Sequence, residues 1–232
     1  MSAGVKIKEF ADRSAASAAA AALLAAALRG ALEKSDETGL VVSGGTTPQE
    51  CFRNLSRQAL DWSRVTIVPS DERWVEPHNV SSNEHLIHTR LMLGPASAAR
   101  LLSFYLEELQ AEEAPEVIAN GLNRLARPFA CALLGMGEDG HFASLFPDFA
   151  GLEGALDPEN SNQCVVVKTA GSPYLRISLT LSALLDSNTV VLLFFGDAKR
   201  RVFEAAVAGD SAYPVAALLS QDKVPVTVIW AP

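Results

Sequence analysis

Cysteine is scarce in this 232-residue chain: Cys51, Cys131 and Cys164 stand far apart, an odd number with no C-x-x-C pair. That spacing excludes a disulfide framework and a cysteine-based zinc module, and a reducing, cytoplasmic setting is expected. Histidine is almost as rare. His85 and His88 lie three residues apart with no third ligand at metal-site spacing, so no metal is expected there, and His78 reads as a loop residue. Basic charge is in deficit too, with 19 Lys and Arg against 27 Asp and Glu and a net charge of -8. A nucleic-acid or anionic-membrane partner needs a concentrated basic field, so neither is expected, and any anionic ligand must be held by a local site. The chain has no low-complexity tract, no internal repeat and no G-x-S-x-G elbow, so an acyl-serine route lacks its usual signal. The apolar stretch 15–28 falls short of the roughly 20 residues that span a bilayer. Glu9, Asp12 and Arg13 precede it, which does not suit a leader, and an alanine-rich helix packed closely on a sheet is expected instead.

What is present is a globular composition, 49% hydrophobic and 20% charged, of a length that suits one domain over residues 1–232. Short β-branched apolar runs at 40–43, 65–69, 129–134, 164–168, 189–195 and 224–230 alternate with helical segments at 14–34, 48–57, 81–92, 115–125 and 197–208. That alternation predicts an α/β fold, a Rossmann-like, mainly parallel sheet with helices on both faces. Residues 176–181 alternate polar and apolar, so a strand there would put Arg176, Ser178 and Thr180 on one face. The stretch 151–162 reads as an irregular loop.

Three strand ends carry candidate chemistry. Ser43-Gly44-Gly45-Thr46-Thr47-Pro48 leads from an apolar run into a helix, with Thr47 placed to cap and Glu50 to complete a capping box. Such a turn either exposes backbone N–H groups to a phosphate or is simply a capped helix start. Asp71-Glu72-Arg73-Trp74 follows a second run, where Arg73 can grip phosphate or join a surface ion pair. The third, Gly135-Met136-Gly137-Glu138-Asp139-Gly140-His141, sets a histidine in a glycine-rich turn beside two acids. Neutral imidazole is the usual general base near neutral pH and Asp139 is close enough to orient it; otherwise His141 is a loop residue capping the next helix. Arg176 and Lys199 are further cations, Lys199 falling one turn into a helix after a strand.

Taken together and in order, these motifs, with Ser82-Asn83, Ala143-Ser144-Leu145-Phe146-Pro147, Gly196-Asp197-Ala198-Lys199 and 214–218, resemble the 6-phosphogluconolactonase family, whose relatives include glucosamine-6-phosphate deaminases. The resemblance implies hydrolysis of 6-phospho-D-glucono-1,5-lactone to 6-phosphogluconate in the oxidative pentose phosphate pathway, without a metal or other cofactor. It implies a phosphate cradle at Ser43 and Gly44 to Thr47, substrate contacts from Asp71, Arg73, Arg176 and Lys199, and His141 as base with Asp139 beside it. Which acid orients the ring is left open. The partner is then a small sugar-phosphate lactone, and a monomer is favoured over an assembly. Two positions depart from the family pattern: Phe142 stands where threonine is commoner, and Thr46 where serine is. The deaminase branch carries a carboxylate after the histidine segment, and Ser144 to Pro147 offers none. A sugar-phosphate sensor that has lost its chemistry fits less well with both His141 and Asp139 retained. The Gly135-x-Gly137-x-x-Gly140 spacing matches a dinucleotide fingerprint but leads into an Asp-Gly-His turn and falls late in the chain.

Overall fold

The computed structural model describes residues 5–232. Ten strands are described: β1 (Val5–Glu9), β2 (Thr38–Val42), β3 (Val65–Pro69), β4 (Asp71–Arg73), β5 (Arg100–Leu101), β6 (Cys131–Leu134), β7 (Cys164–Val167), β8 (Arg176–Leu179), β9 (Val190–Phe195) and β10 (Val226–Ala231). The helices among them are α1 (Arg13–Leu32), α2 (Gln49–Ser56), α3 (Asn83–Arg90), α4 (Ala114–Leu122), α5 (Leu152–Leu156), α6 (Leu181–Leu185), α7 (Asp197–Val207) and α8 (Val215–Ser220). Seven strands form one parallel sheet in the order β1-β10-β9-β6-β2-β3-β5. A small antiparallel sheet, β4-β8-β7, sits beside it.

The inner parallel strands β2, β3, β6 and β9 are buried on both faces, and that is why they read as apolar runs. Side chains alternate across a strand, so Leu40, Val42, Ile67, Leu133, Leu193 and Ile229 join one core while Val41, Val68, Ala132, Leu134, Leu192 and Val228 join the other. Helices α1, α2 and α3 cover the first core and α4, α6, α7 and α8 the second. Helix α1 is 20 residues long and apolar enough, by length and composition, to cross a membrane. Here it is a sheet-packing helix: Ala16, Ala20, Ala21, Leu24, Ala25 and Leu28 are buried at helical spacing, and their small side chains let its backbone approach the strands. Asp12 caps it by accepting from the Ala15 N–H at 2.8 Å.

The strand order sets the site. From the centre the chain runs outward one way through β2, β3 and β5 and the other way through β6, β9 and β10, which makes the β2/β6 boundary the point where the order reverses. The carboxyl ends on either side of such a boundary diverge and leave a crevice. The turns after β2 and β6 are those at Ser43 and Gly135, and the Ser43 N–H donates to the Leu133 carbonyl at 2.9 Å.

Several local expectations change. Thr180 is not on the strand face of Arg176 and Ser178; β8 ends at Leu179 and the Thr180 hydroxyl accepts from Ala183 N–H at 3.3 Å, capping α6. The capping box at the start of α2 does not form. Pro48 occupies the N-cap with no side-chain cap, and Glu50 instead accepts from the Ser14 hydroxyl at 2.7 Å, pinning α2 to α1. The loop at 151–162 contains the short helix α5.

Gly39 lies within β2, where a Cβ would fall 2.3 Å from the ring of buried Phe129. Gly39→Ala is therefore expected to destabilise the fold by roughly 1–3 kcal/mol through overpacking, read as a lower midpoint in urea with an unchanged slope.

Candidate active site

The crevice beyond β2, β3 and β6 encloses a cavity of about 220 Å³. Ser43, Gly44, Gly45, Thr46, Thr47, Asp71, Arg73, His141, Arg176 and Lys199 all line it, and Asp139 stands behind His141. Every candidate site residue is therefore drawn to one place from turns and strands more than 150 residues apart in sequence.

After β2, the N–H groups of Gly44, Gly45, Thr46 and Thr47 donate to no other group among the described residues. Gly44 is obligatory by contact: a Cβ there would lie 1.9 Å from Asn83 Oδ1. Ser43 is buried, and its hydroxyl is one of the few buried polar side-chain atoms without a partner.

After β3 comes β4, which pairs antiparallel with β8 so that Arg73 faces Arg176 directly. Like charges directly opposite each other across a sheet repel, so this pair favours an anion between or beside them. Arg73 donates to the Ser81 carbonyl at 2.6 Å through one terminal nitrogen, while its buried Nε has no partner. Burial pulls the Arg176 guanidinium below its ordinary pKa and Arg73 acts in the same direction, against Asp71 and Glu72. Glu72, between Asp71 and Arg73, is structural. It is 1% exposed and accepts from the N–H groups of Arg73, Asn83 and Glu84 and from the Ser82 hydroxyl, all within 2.9 Å, so it closes the N-terminus of α3 against β4. Burial pushes its carboxyl up while those four donors favour the ionised form.

After β6, the turn returns on itself, with Gly137 N–H donating to the His141 carbonyl at 2.9 Å. His141 Nδ1 is 2.5 Å from Asp139 Oδ1, which also accepts from the His141 backbone N–H at 3.2 Å. Asp139 is therefore the acid that orients the ring, the choice that spacing left open; Glu138 acts instead on Lys199 as a nearby charge. Burial disfavours the Asp139 carboxylate, but its bonds and attraction to His141 outweigh that and hold its pKa below the ordinary aspartate value. A carboxylate at Nδ1 fixes the proton there and leaves Nε2 as an acceptor. Gly137 is what allows the pair to form, since a Cβ on it would lie 2.3 Å from the imidazole and 2.5 Å from Asp139. Lys199, in the first turn of α7, has its pKa drawn down by burial and by Arg13, against Glu138 and Asp139.

Asn83, Met136, Phe142 and Ala143 also line the cavity and were not singled out by residue type. For Asn83 the signal was present: Ser82 is a cap residue, and the first residue of the capped helix is delivered to the strand ends, where Asn83 Nδ2 donates to the Asp71 carbonyl at 2.8 Å. Neither His85 nor His88 enters the crevice, and among the described residues no group of three or more His, Cys, Asp or Glu is arranged to hold a metal ion.

Residues 11–230 match the family model described as glucosamine-6-phosphate isomerases/6-phosphogluconolactonase. The chain belongs to that family. It is 38% identical to a 6-phosphogluconolactonase of Rhizobium meliloti, over 100% of both chains, and 37% identical to one of Pseudomonas aeruginosa, over 88% of this chain and 86% of the other. Its fold superposes on the crystal structure of a 6-phosphogluconolactonase from Shewanella baltica with a TM-score of 0.95 at 37% identity, covering 100% of each chain. A 6-phosphogluconolactonase from Thermotoga maritima gives a TM-score of 0.80 at 27% identity, over 98% of this chain and 99% of that one. A monomeric glucosamine-6-phosphate deaminase, at 18% identity and a TM-score of 0.77 over 97% of each chain, shares the fold.

Because Glu72 accepts three backbone N–H groups in a buried position, Glu72→Ala orphans them together. A loss of at least ~2 kcal/mol in urea unfolding is expected, whereas Glu84→Ala, removing a carboxylate that faces Ser103 and His88, should cost less.

Proposed function

We propose that this protein hydrolyses 6-phospho-D-glucono-1,5-lactone to 6-phospho-D-gluconate, the lactone-opening step of the oxidative pentose phosphate pathway, with His141 as general base and no metal ion. The observation that carries the reading is His141, 2.5 Å from Asp139 behind it, on the wall of a cavity that three cations, Arg73, Arg176 and Lys199, also line. A base without those cations would suit many hydrolyses; the cations without the base would suit a phosphate sensor. Their coincidence, in a chain aligned end to end with 6-phosphogluconolactonases, supports a phosphorylated, hydrolysable substrate.

In this mechanism the substrate phosphate is held by the free N–H groups of Gly44 to Thr47 and by the facing arginines, remote from the carbonyl. Holding it there positions the ring, and positioning lowers a barrier when the reacting atoms are kept near contact. Nε2 of His141 takes a proton from water as the water oxygen bonds to C1. The negative charge that develops on the carbonyl oxygen is met by nearby donors. The tetrahedral intermediate then collapses, the bond from C1 to the ring oxygen breaks, and the imidazolium returns its proton to that oxygen, leaving an open-chain acid. Asp139 keeps Nδ1 protonated throughout and stabilises the transient imidazolium. Phe142, 1% exposed and packed in the core, offers no hydroxyl to the substrate. We place the activity in the cytoplasm, where the three buried free cysteines suit a reducing setting, and assign it to a monomer acting as one domain.

Freshly generated 6-phosphogluconolactone should disappear faster with the protein than without it, and equally fast with chelator present. His141→Ala should reduce the rate to the spontaneous background. Asp139→Asn should cost about 10²–10⁴-fold in kcat, as expected when the carboxylate that fixes the tautomer is lost. A wild-type rate equal to background would sink the reading; loss of activity on chelation would sink its metal-free mechanism.

A further inference from the structure

Where Asp71 lines the cavity, the wall is backed by a buried polar cluster that the mechanism does not use. Asp71 is 5% exposed, and both its carboxylate oxygens are engaged by hydroxyls: Ser70 donates to Oδ1 at 2.7 Å and Ser144 to Oδ2 at 2.6 Å. Ser144 is fully buried and is held a second time by its backbone, whose N–H donates to the Ser178 hydroxyl at 3.1 Å. One serine thus ties the segment that follows His141 to two strands of the small sheet, β4 through Asp71 and β8 through Ser178.

The residue before it is strained. Ala143 has φ of +49°, the one non-glycine residue with positive φ among the described residues. An alanine in the left-handed region places its Cβ against the backbone, and such a conformation persists only where the surroundings over-determine it. The adjacent contacts are the Leu145 N–H donating to the Phe142 carbonyl at 3.0 Å, which closes the turn over Ala143, and the bonds of Ser144 to Asp71 and Ser178, joined by a long one from Arg176 at 3.5 Å. Without those of Ser144 the turn bond alone opposes relaxation of the backbone at Ala143, and that change falls two residues after His141.

We propose that Ser144 is a positioning residue, with Asp71 as its anchor: it holds Ala143 in the left-handed conformation and so keeps His141 in register with Asp139 and the cavity. Asp71 then serves through its carboxylate as a buried acceptor for hydroxyls, and its weak approach to Arg176, 4.0 Å, is secondary. The kinetic consequence rests on the lactonase reading above; the geometric one does not.

The test asks whether glycine, which adopts positive φ without penalty, makes the serine dispensable. Ser144→Ala is expected to lower kcat about tenfold with KM changed less than twofold, because the base is displaced while the glycine turn and Arg73 are untouched and Arg176 loses only a long contact at 3.5 Å. Introduced into an Ala143→Gly background, the same substitution should cost no more than about twofold. A general folding defect, or a direct contact of Ser144 with substrate, would cost the same in both backgrounds, and that equality would overturn the proposal, as would an unaltered kcat in Ser144→Ala. Should Ser144→Ala not fold, Ser144→Cys, which keeps the volume and donates weakly, is compared across the same two backgrounds. A second readout needs no turnover: the His141 Nδ1 proton, bonded to Asp139, should give a downfield NMR resonance in the wild type and in the Ala143→Gly/Ser144→Ala double variant but not in Ser144→Ala. If the wild type shows no lactonase activity, this resonance alone decides, and its persistence in Ser144→Ala refutes the positioning role.

Discussion

The hydrogen-bonded pairing of β2 with β6 is the constraint on which the rest of the site depends. Their register, Leu40 with Cys131 through Val42 with Leu133, is prolonged by the Ser43 N–H to the Leu133 carbonyl, so the two strands part at the same level. Beyond that level the chain turns one way into the glycine turn and α2, the other way into the histidine turn. Slipping the register by one residue would invert the side chains of a strand buried on both faces, exchanging Val41 and Val42 between two separate cores. The height at which the glycine turn and the histidine turn meet is thus fixed by packing in the sheet, before any contact within the crevice is made.

Around that junction the protein reverses its own electrostatics. A chain of net charge -8 places Arg73, Arg176 and Lys199 on one small cavity. It does so in part by setting two arginines opposite each other in a short antiparallel ladder, an arrangement of like charges that repel. Three of the acids nearby are divided in their duties: Glu72 is occupied by four donors, Asp71 by two hydroxyls and Asp139 by the imidazole.

Much of this was legible in the sequence because parallel strands announce themselves: the run 65–69 coincides with β3, and the other five predicted strands lie within about two residues of those found. What escaped were elements whose stability is not local. Strand β1 pairs only with β10, β4 is three residues long and exists through β8, and α6 and α8 are five and six residues that packing completes. The two glycine turns, Arg73 and His141 were readable because each follows an apolar run, where open sheets bind ligands, while Arg176 stood out at the start of an alternating strand and Lys199 in the first turn of a helix. Contacts across distant segments were not: spacing cannot separate Glu138 from Asp139 as the ring's partner, nor reveal that Glu72 is a helix cap or that Glu50 bonds to Ser14 rather than closing its own helix.

The pairing of the first strand with the last also bears on how the molecule comes into being. Helix α1 lies against β10, β1 has no other partner among the described residues, and the Arg13 guanidinium donates to the carbonyl of Pro232, 219 residues on. On the ribosome the apolar face of α1 therefore emerges long before the strand that helps cover it, and the final layer of the sheet can form only after synthesis has passed β10. Until then part of this alanine and leucine face lacks the strand that it packs against in the finished molecule.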